Sequence, residues 1–180
     1  MHDTLTTIML ILITAIALEA SAMAIVFLRR KQVTTTARRV LHILVLVCVV
    51  SCTALLIYRT ISINPNWTPL VAHVDGLLLI AILLGTTVLF IQTRPRLFGF
   101  SAFGLPVFTL ILMWSVCASA WTYRPFQLDS LHSVWNTLHL MGVYIGTPSL
   151  AVAAIAGAMY LFVHRRLRQK KDLNDIGRFA

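Results

Sequence analysis

Five long apolar runs separated by short polar loops leave this chain few folds to choose from. A helix that crosses a bilayer needs roughly 20 mostly apolar residues, because the hydrocarbon core offers no water to satisfy backbone N–H and C=O groups. The runs at 5–28, 40–58, 70–91, 97–121 and 131–163 have that length and character. Hydrophobic residues make up 58% of the chain and charged residues 12%, about half the ~25% charge of a soluble domain. The sequence therefore predicts an all-α polytopic integral membrane bundle of five transmembrane helices, a single membrane domain over 1–180. The fifth run is long enough to tilt or to project into water.

The basic residues predict an orientation. Arg29, Arg30, Lys31, Arg38, Arg39, Arg94, Arg96, Arg165, Arg166, Arg168, Lys170, Lys171 and Arg178 all fall on one side of a five-span topology, and only Arg59 and Arg124 on the other. The positive-inside rule then puts the N-terminus out and the basic C-terminal tail in. The net charge of +9 is thus placed by topology and does not point to nucleic acid. Ala22-Met23-Ala24 has the look of a cleavage site, but Met1-His2-Asp3 carries no basic region, and the arginines follow the apolar run. That order reads as an N-out anchor rather than a cleaved signal.

Most of the remaining signals concern packing. Thr68-Pro69 reads as a helix start and Asp129 or Ser130 as a cap, while Pro106 and Pro148 fall inside the fourth and fifth runs and predict kinks. Gly142-x-x-x-Gly146 and Ala153-x-x-x-Gly157 are small-residue pairs that let helices approach closely. Trp67, Trp121 and Tyr123 suit an outer interfacial belt. Cys48, Cys52 and Cys117 form no Cys-x-x-Cys, so neither a redox dithiol nor covalent c-type haem attachment is indicated. They read as small apolar packing residues.

Ionisable groups inside a bilayer are costly and mark functional sites by default. At about 1.5 Å per residue, His73 lies roughly 6 Å and Asp75 roughly 9 Å past Pro69, and His139 roughly 12 Å past Leu131. His132 sits near the rim, so three histidines, one carboxylate and Trp135 gather in the outer leaflet. His132, Trp135, His139, Gly142 and Gly146 share one helix face. Imidazoles, an indole and a glycine groove suit a flat, metal-centred ligand such as haem, and equally suit plain helix packing. His139 with His73 is the expected ligand pair, with Asp75 accepting the ring N–H of a ligand histidine to fix its tautomer. The competing reading has His139 bonded to another helix and Asp75 paired with Arg59 or a histidine. Glu19, near mid-bilayer in the first span, has His42 as its nearest partner in depth, and an offset of about 10 Å makes that pairing a stretch. His42 lies near the inner surface, and His164 in the basic tail.

His139 followed by Gly142 and Tyr144, then Met159-Tyr160-Leu161 running into Arg165-Arg166-Leu167-Arg168-Gln169-Lys170-Lys171, resembles the CcsA/HemX-type cytochrome c assembly proteins. In that family a helix opens with a Leu-His motif and ends in Tyr-Leu before a basic loop. The segment Pro69-Leu70-Val71-Ala72-His73-Val74-Asp75-Gly76-Leu77, and Arg38-Arg39-Val40-Leu41-His42 ahead of the second span, fit the same pattern. The resemblance covers most of the chain through short, apolar motifs. It implies a polytopic protein that holds or passes haem b through histidine ligands, with His139 matching the family's histidine. Membrane lipid and other cytochrome c assembly proteins would be its partners, and a bacterial-type inner (plasma) membrane its location. The tryptophan-rich segment of the family is missing from the sequence. A short relative, one half of a split protein and a truncated frame all remain open.

Three functions follow as expectations. The first is haem handling in cytochrome c assembly, with no bond-making chemistry on a substrate. The second is a cofactor-free structural or assembly subunit that docks a partner on its Gly-x-x-x-Gly face. The third is a small proton-coupled transporter using Glu19 and Asp75, although no broken-helix pair or inverted repeat supports it. A hydrolytic or nucleotide-binding enzyme is not expected, because the sequence has no Gly-rich phosphate loop, nucleophile elbow or zinc-ligand spacing.

Overall fold

Every expected span is a helix. The structure, a computed structural model, describes residues 2–29, 35–63, 73–94, 99–121 and 134–168. In chain order the helices are α1 (His2–Arg29), α2 (Thr35–Ile63), α3 (His73–Gln92), α4 (Ser101–Trp121) and α5 (Val134–Arg168). All five are long and apolar enough to cross a membrane. Helices α2 and α5 extend past their apolar runs. α2 begins at Thr35 and α5 continues to Arg168, so both carry helical structure into their basic flanks. Charged residues with long apolar stems extend a spanning helix into the interface while keeping their heads in water.

The first four helices pack as a closed ring, α1 on α2, α2 on α3, α3 on α4 and α4 back on α1. α5 lies outside it, against α3 and α4. Named contacts fix the directions. Thr7 at the start of α1 meets Ser119 at the end of α4 (Oγ1 to Oγ 3.5 Å). His42 near the start of α2 shares a hydrogen bond with Gln92 at the end of α3 (3.2 Å). Neighbours within the ring are therefore antiparallel, as short loops require. Gly76 near the start of α3 touches Tyr144 in the first half of α5, so α3 and α5 run parallel.

The ring's core is built from leucine and small residues. Leu10, Leu41, Leu78, Leu84, Leu105, Phe108 and Leu112 are fully buried. Cys48 and Cys52 are free and buried among them. Gly85 marks a close approach within the ring. A Cβ there would lie 2.6 Å from Val49 Cγ2 and 3.0 Å from Phe108 Cε2. Glycine at this position lets α2, α3 and α4 converge, as small residues do wherever apolar surface alone supplies no preference between lipid and protein. The Thr109 hydroxyl donates across the α1–α4 seam to Ala17 O (3.1 Å) and along its own helix to Leu105 O (2.9 Å).

Both prolines lie inside continuous helices. Pro148 lacks the N–H that would otherwise reach the Tyr144 carbonyl one turn earlier. The expected helix start at Pro69, the interfacial Trp67 and Tyr123, and the caps Asp129 and Ser130 lie outside the described residues.

Candidate ligand site where α3 and α5 begin

Polar side chains converge at the end of the bundle where α3 and α5 begin and α2 finishes. Arg59 sits in the last turns of α2 and Asp75 in the first turn of α3. Arg59 Nε donates to Asp75 Oδ1 at 2.5 Å, and both side chains are 10% exposed. The antiparallel α2–α3 hairpin forces this meeting, because residues near the end of one helix face residues near the start of the next. A charge-assisted bond of this kind is short and directional. It also removes the cost of leaving either charge alone in apolar surroundings.

Next to Asp75, Gly76 opens a notch that Tyr144 fills. A Cβ at Gly76 would lie 2.5 Å from the Tyr144 hydroxyl oxygen and 3.0 Å from its ring. This contact sets the rotation of α5 about its own axis. His139 lies five residues before Tyr144, which places it roughly 7.5 Å nearer the helix start and about 140° around the helix. Gly142 and Gly146 lie about 160° from Tyr144 by the same geometry. All three therefore turn away from α3. His139 is exposed and has no hydrogen-bond partner among the described residues. A Cβ at Gly142 or Gly146 would meet nothing within 4 Å.

Of the expected site residues whose side chains are described, Asp75 lies with Arg59 between α2 and α3 and His139 on the face of α5 turned away from α3. His73 is the first residue of α3, one turn above Gly76 and at the same end as His139. The rotation imposed by Tyr144 does not turn His139 toward α3, and the side chain of His73 lies outside the described residues. Asp75 is engaged by Arg59, and no contact with a histidine occurs among its described partners. Trp135 belongs to the first turn of α5, while His132 lies outside the described residues. Among the described residues no three His, Cys, Asp or Glu side chains cluster as a metal-binding group.

Arg59 and Tyr144 were the members of this site hardest to find from sequence. Arg59 was legible as an alternative partner for Asp75. Tyr144 carried no signal beyond its place in a resemblance, because its role comes from the bare backbone of a glycine on another helix.

His139 nevertheless fits a haem iron as a donor. Among the described residues its imidazole has no competing hydrogen bond, and it stands above a helix face on which two glycines carry no side chain. That fit covers one side of the iron only. At the opposite end of the bundle, Phe103 packs edge-on against Phe162 (centroids 6.0 Å apart) and holds α5 to α4. His164 stacks on Tyr160 one turn earlier in α5 (5.9 Å).

Fold and site together define a helical membrane protein with five helices able to span a bilayer and an imidazole displayed on its outermost helix. Comparison with models of known protein families, with curated proteins and with solved structures finds no match for this chain.

Proposed function

We propose that this chain is a haem-handling membrane protein of cytochrome c assembly, oriented with its N-terminus out and its basic tail in the cytoplasm of a bacterial-type cell. The observation that carries this reading is His139, exposed on α5 and without a partner among the described residues, over the bare backbone of Gly142 and Gly146. The resemblance of the same helix to CcsA/HemX-type proteins supports it.

Bound haem b would supply an iron centre whose ligand strength depends on its axial donors and on the surrounding dielectric. His139 would hold the iron through an imidazole nitrogen. Gly142 and Gly146, having no side chains, leave flat surface beside it. The Tyr144–Gly76 contact acts through position by fixing the rotation of α5 and so the direction in which His139 points, while the Arg59–Asp75 pair ties α3 to α2. No second donor from this chain joins His139 among the described residues, which suits a protein that passes haem on. No bond-making chemistry is assigned to the chain, and its partners would be other membrane proteins of the same assembly process.

Titrating haem into the detergent-purified chain tests this reading. A Soret band that shifts and saturates near one equivalent, and fails to do so in His139→Ala, is the expected outcome. Haem that remains spectrally free in both would sink it.

The empty surroundings of Gly142, Gly146 and Gly157 favour a second reading, a cofactor-free assembly subunit whose α5 face docks a partner helix. In that case His139→Ala changes partner binding and leaves the haem titration equally silent in both proteins.

A further inference from the structure

Two buried polar groups lie at the edge of the apolar spans, at the end of the bundle that carries Arg38, Arg94 and Arg165. The α3 span ends at Gln92 and the α4 span begins at Ser101. Ser101 is 1% exposed. Neither its Oγ nor Gln92 Nε2 has a hydrogen-bond partner among the described residues. Burying a polar group costs free energy unless something pairs with it, and an orphan in a native fold calls for a bound water or ion.

The two groups lie together. In α4, Gly104 faces α3, because a Cβ there would lie 3.0 Å from Val88 Cγ2. Ser101 is one turn before Gly104 and Gln92 one turn after Val88, and residues at those spacings share a helix face. The helices are antiparallel, so Ser101 lies roughly 4.5 Å and Gln92 roughly 6 Å beyond that contact toward the same end. Ser101 therefore aims across the α3–α4 seam at Gln92. From the other side, His42 Nδ1 bonds Gln92 Oε1 at 3.2 Å, which leaves the amide N–H groups to be satisfied elsewhere. Arg38, half-buried one turn before His42, brings a positive charge to the same corner.

The chemistry of this corner is one-sided. An amide nitrogen, a hydroxyl and a guanidinium all donate hydrogen bonds. Ser101 also opens α4, and a helix N-terminus favours negative charge. No described carboxylate stands near them. Asp3 and Asp75 are at the starts of α1 and α3, at the opposite end, and Glu19 lies eight residues, roughly 12 Å, short of the end of the α1 span. Donors without a carboxylate suit an anion. Their level says which, because the ends of apolar spans mark the edge of the hydrocarbon, where lipid phosphates lie.

We propose that Arg38, Gln92 and Ser101 form a binding site for a phosphate group, with His42 positioning the Gln92 amide. The site is at the opposite end of the bundle from His139 and does not depend on the haem reading.

The test follows the thermal unfolding midpoint of the full chain in a non-ionic detergent, since a ligand that binds only the folded state raises it. Phosphatidylglycerol and inorganic phosphate are the probes. Diacylglycerol and sodium chloride at matched ionic strength are their phosphate-free controls. The wild type is expected to be stabilised by at least one probe and by neither control. A response to phosphatidylglycerol alone marks a lipid headgroup, and a response to inorganic phosphate marks a phosphate that enters from water. Ser101→Ala and Gln92→Leu should each raise the ligand concentration needed roughly tenfold, the scale of losing one hydrogen bond to a charged group. Arg38→Gln should abolish the response, while Arg39→Gln, which removes the same charge from an exposed neighbour, should leave it nearly unchanged. Circular dichroism confirms that each variant is folded. Controls that stabilise as well as the probes, or a wild type that neither probe stabilises, would overturn the proposal. So would full responses in Ser101→Ala and Gln92→Leu, which would mean that water alone satisfies these groups. Equal losses in Arg38→Gln and Arg39→Gln would overturn it too, because net charge would then account for the binding.

Discussion

The ring of α1 to α4 and the appended α5 use the same residue types to opposite ends. Half of the α3 span is buried inside the molecule, against 11% of the α5 span. Both helices carry glycines. In α3 the notches are filled, Gly85 by Val49 and Phe108 and Gly76 by Tyr144. In α5 the corresponding surfaces at Gly142, Gly146 and Gly157 are bare. A small residue permits close approach but does not by itself recruit a neighbour. The ring has spent its glycines on internal packing, whereas α5 displays them together with His139. Structure is concentrated in the first region and availability in the second.

The largest test of that contrast is Asp75→Leu, which strands Arg59 in an apolar setting. A loss of about 3 kcal/mol is expected from removing one partner of a buried pair, read from thermal or denaturant unfolding in detergent. Arg59→Leu combined with Asp75→Leu should recover most of the loss, and a double variant as unstable as the single would show that the pair does more than balance charge. Next, Gly85→Val should cost about 2 kcal/mol through overpacking against Val49 and Phe108, while Gly142→Ala should stay within about 0.5 kcal/mol of the wild type, as a surface substitution does. Equal effects at the two glycines would erase the distinction between ring and fifth helix. Tyr144→Ala should cost on the order of 1 kcal/mol and raise amide exchange in α5 alone. Exchange spreading through α1 to α4 would mean that α5 is part of the core. Smallest is Thr109→Val, which removes the bond to Ala17 O and should cost about 0.6 kcal/mol, the average for interhelical polar contacts in a membrane protein.

The spans were legible because apolar length is a one-dimensional property. All five runs, and the grouping of Arg38, Arg94 and Arg165 at one end of the bundle, follow from counting along the chain. Azimuth was not legible. The seven-residue spacing of His132, His139 and Gly146 shows that they share a face, but not which way that face points. That depends on Tyr144 finding Gly76, a contact between residues far apart in sequence and without charge or pattern to announce it. Asp75 illustrates the middle case. Its depth gave both histidine and Arg59 as partners, and the antiparallel α2–α3 hairpin selected Arg59. Glu19 was legible as an anomaly, and only the closed ring revealed that it points outward.

The most direct measurement is the absorption spectrum of the protein purified from haem-replete cells, oxidised and then reduced with dithionite, with His139→Ala prepared alongside. The proposed function predicts a sharp reduced b-type spectrum in the wild type that is lost or shifted in the variant, with stability unchanged because His139 is exposed. A folded, colourless wild type, or a spectrum identical in His139→Ala, would contradict it.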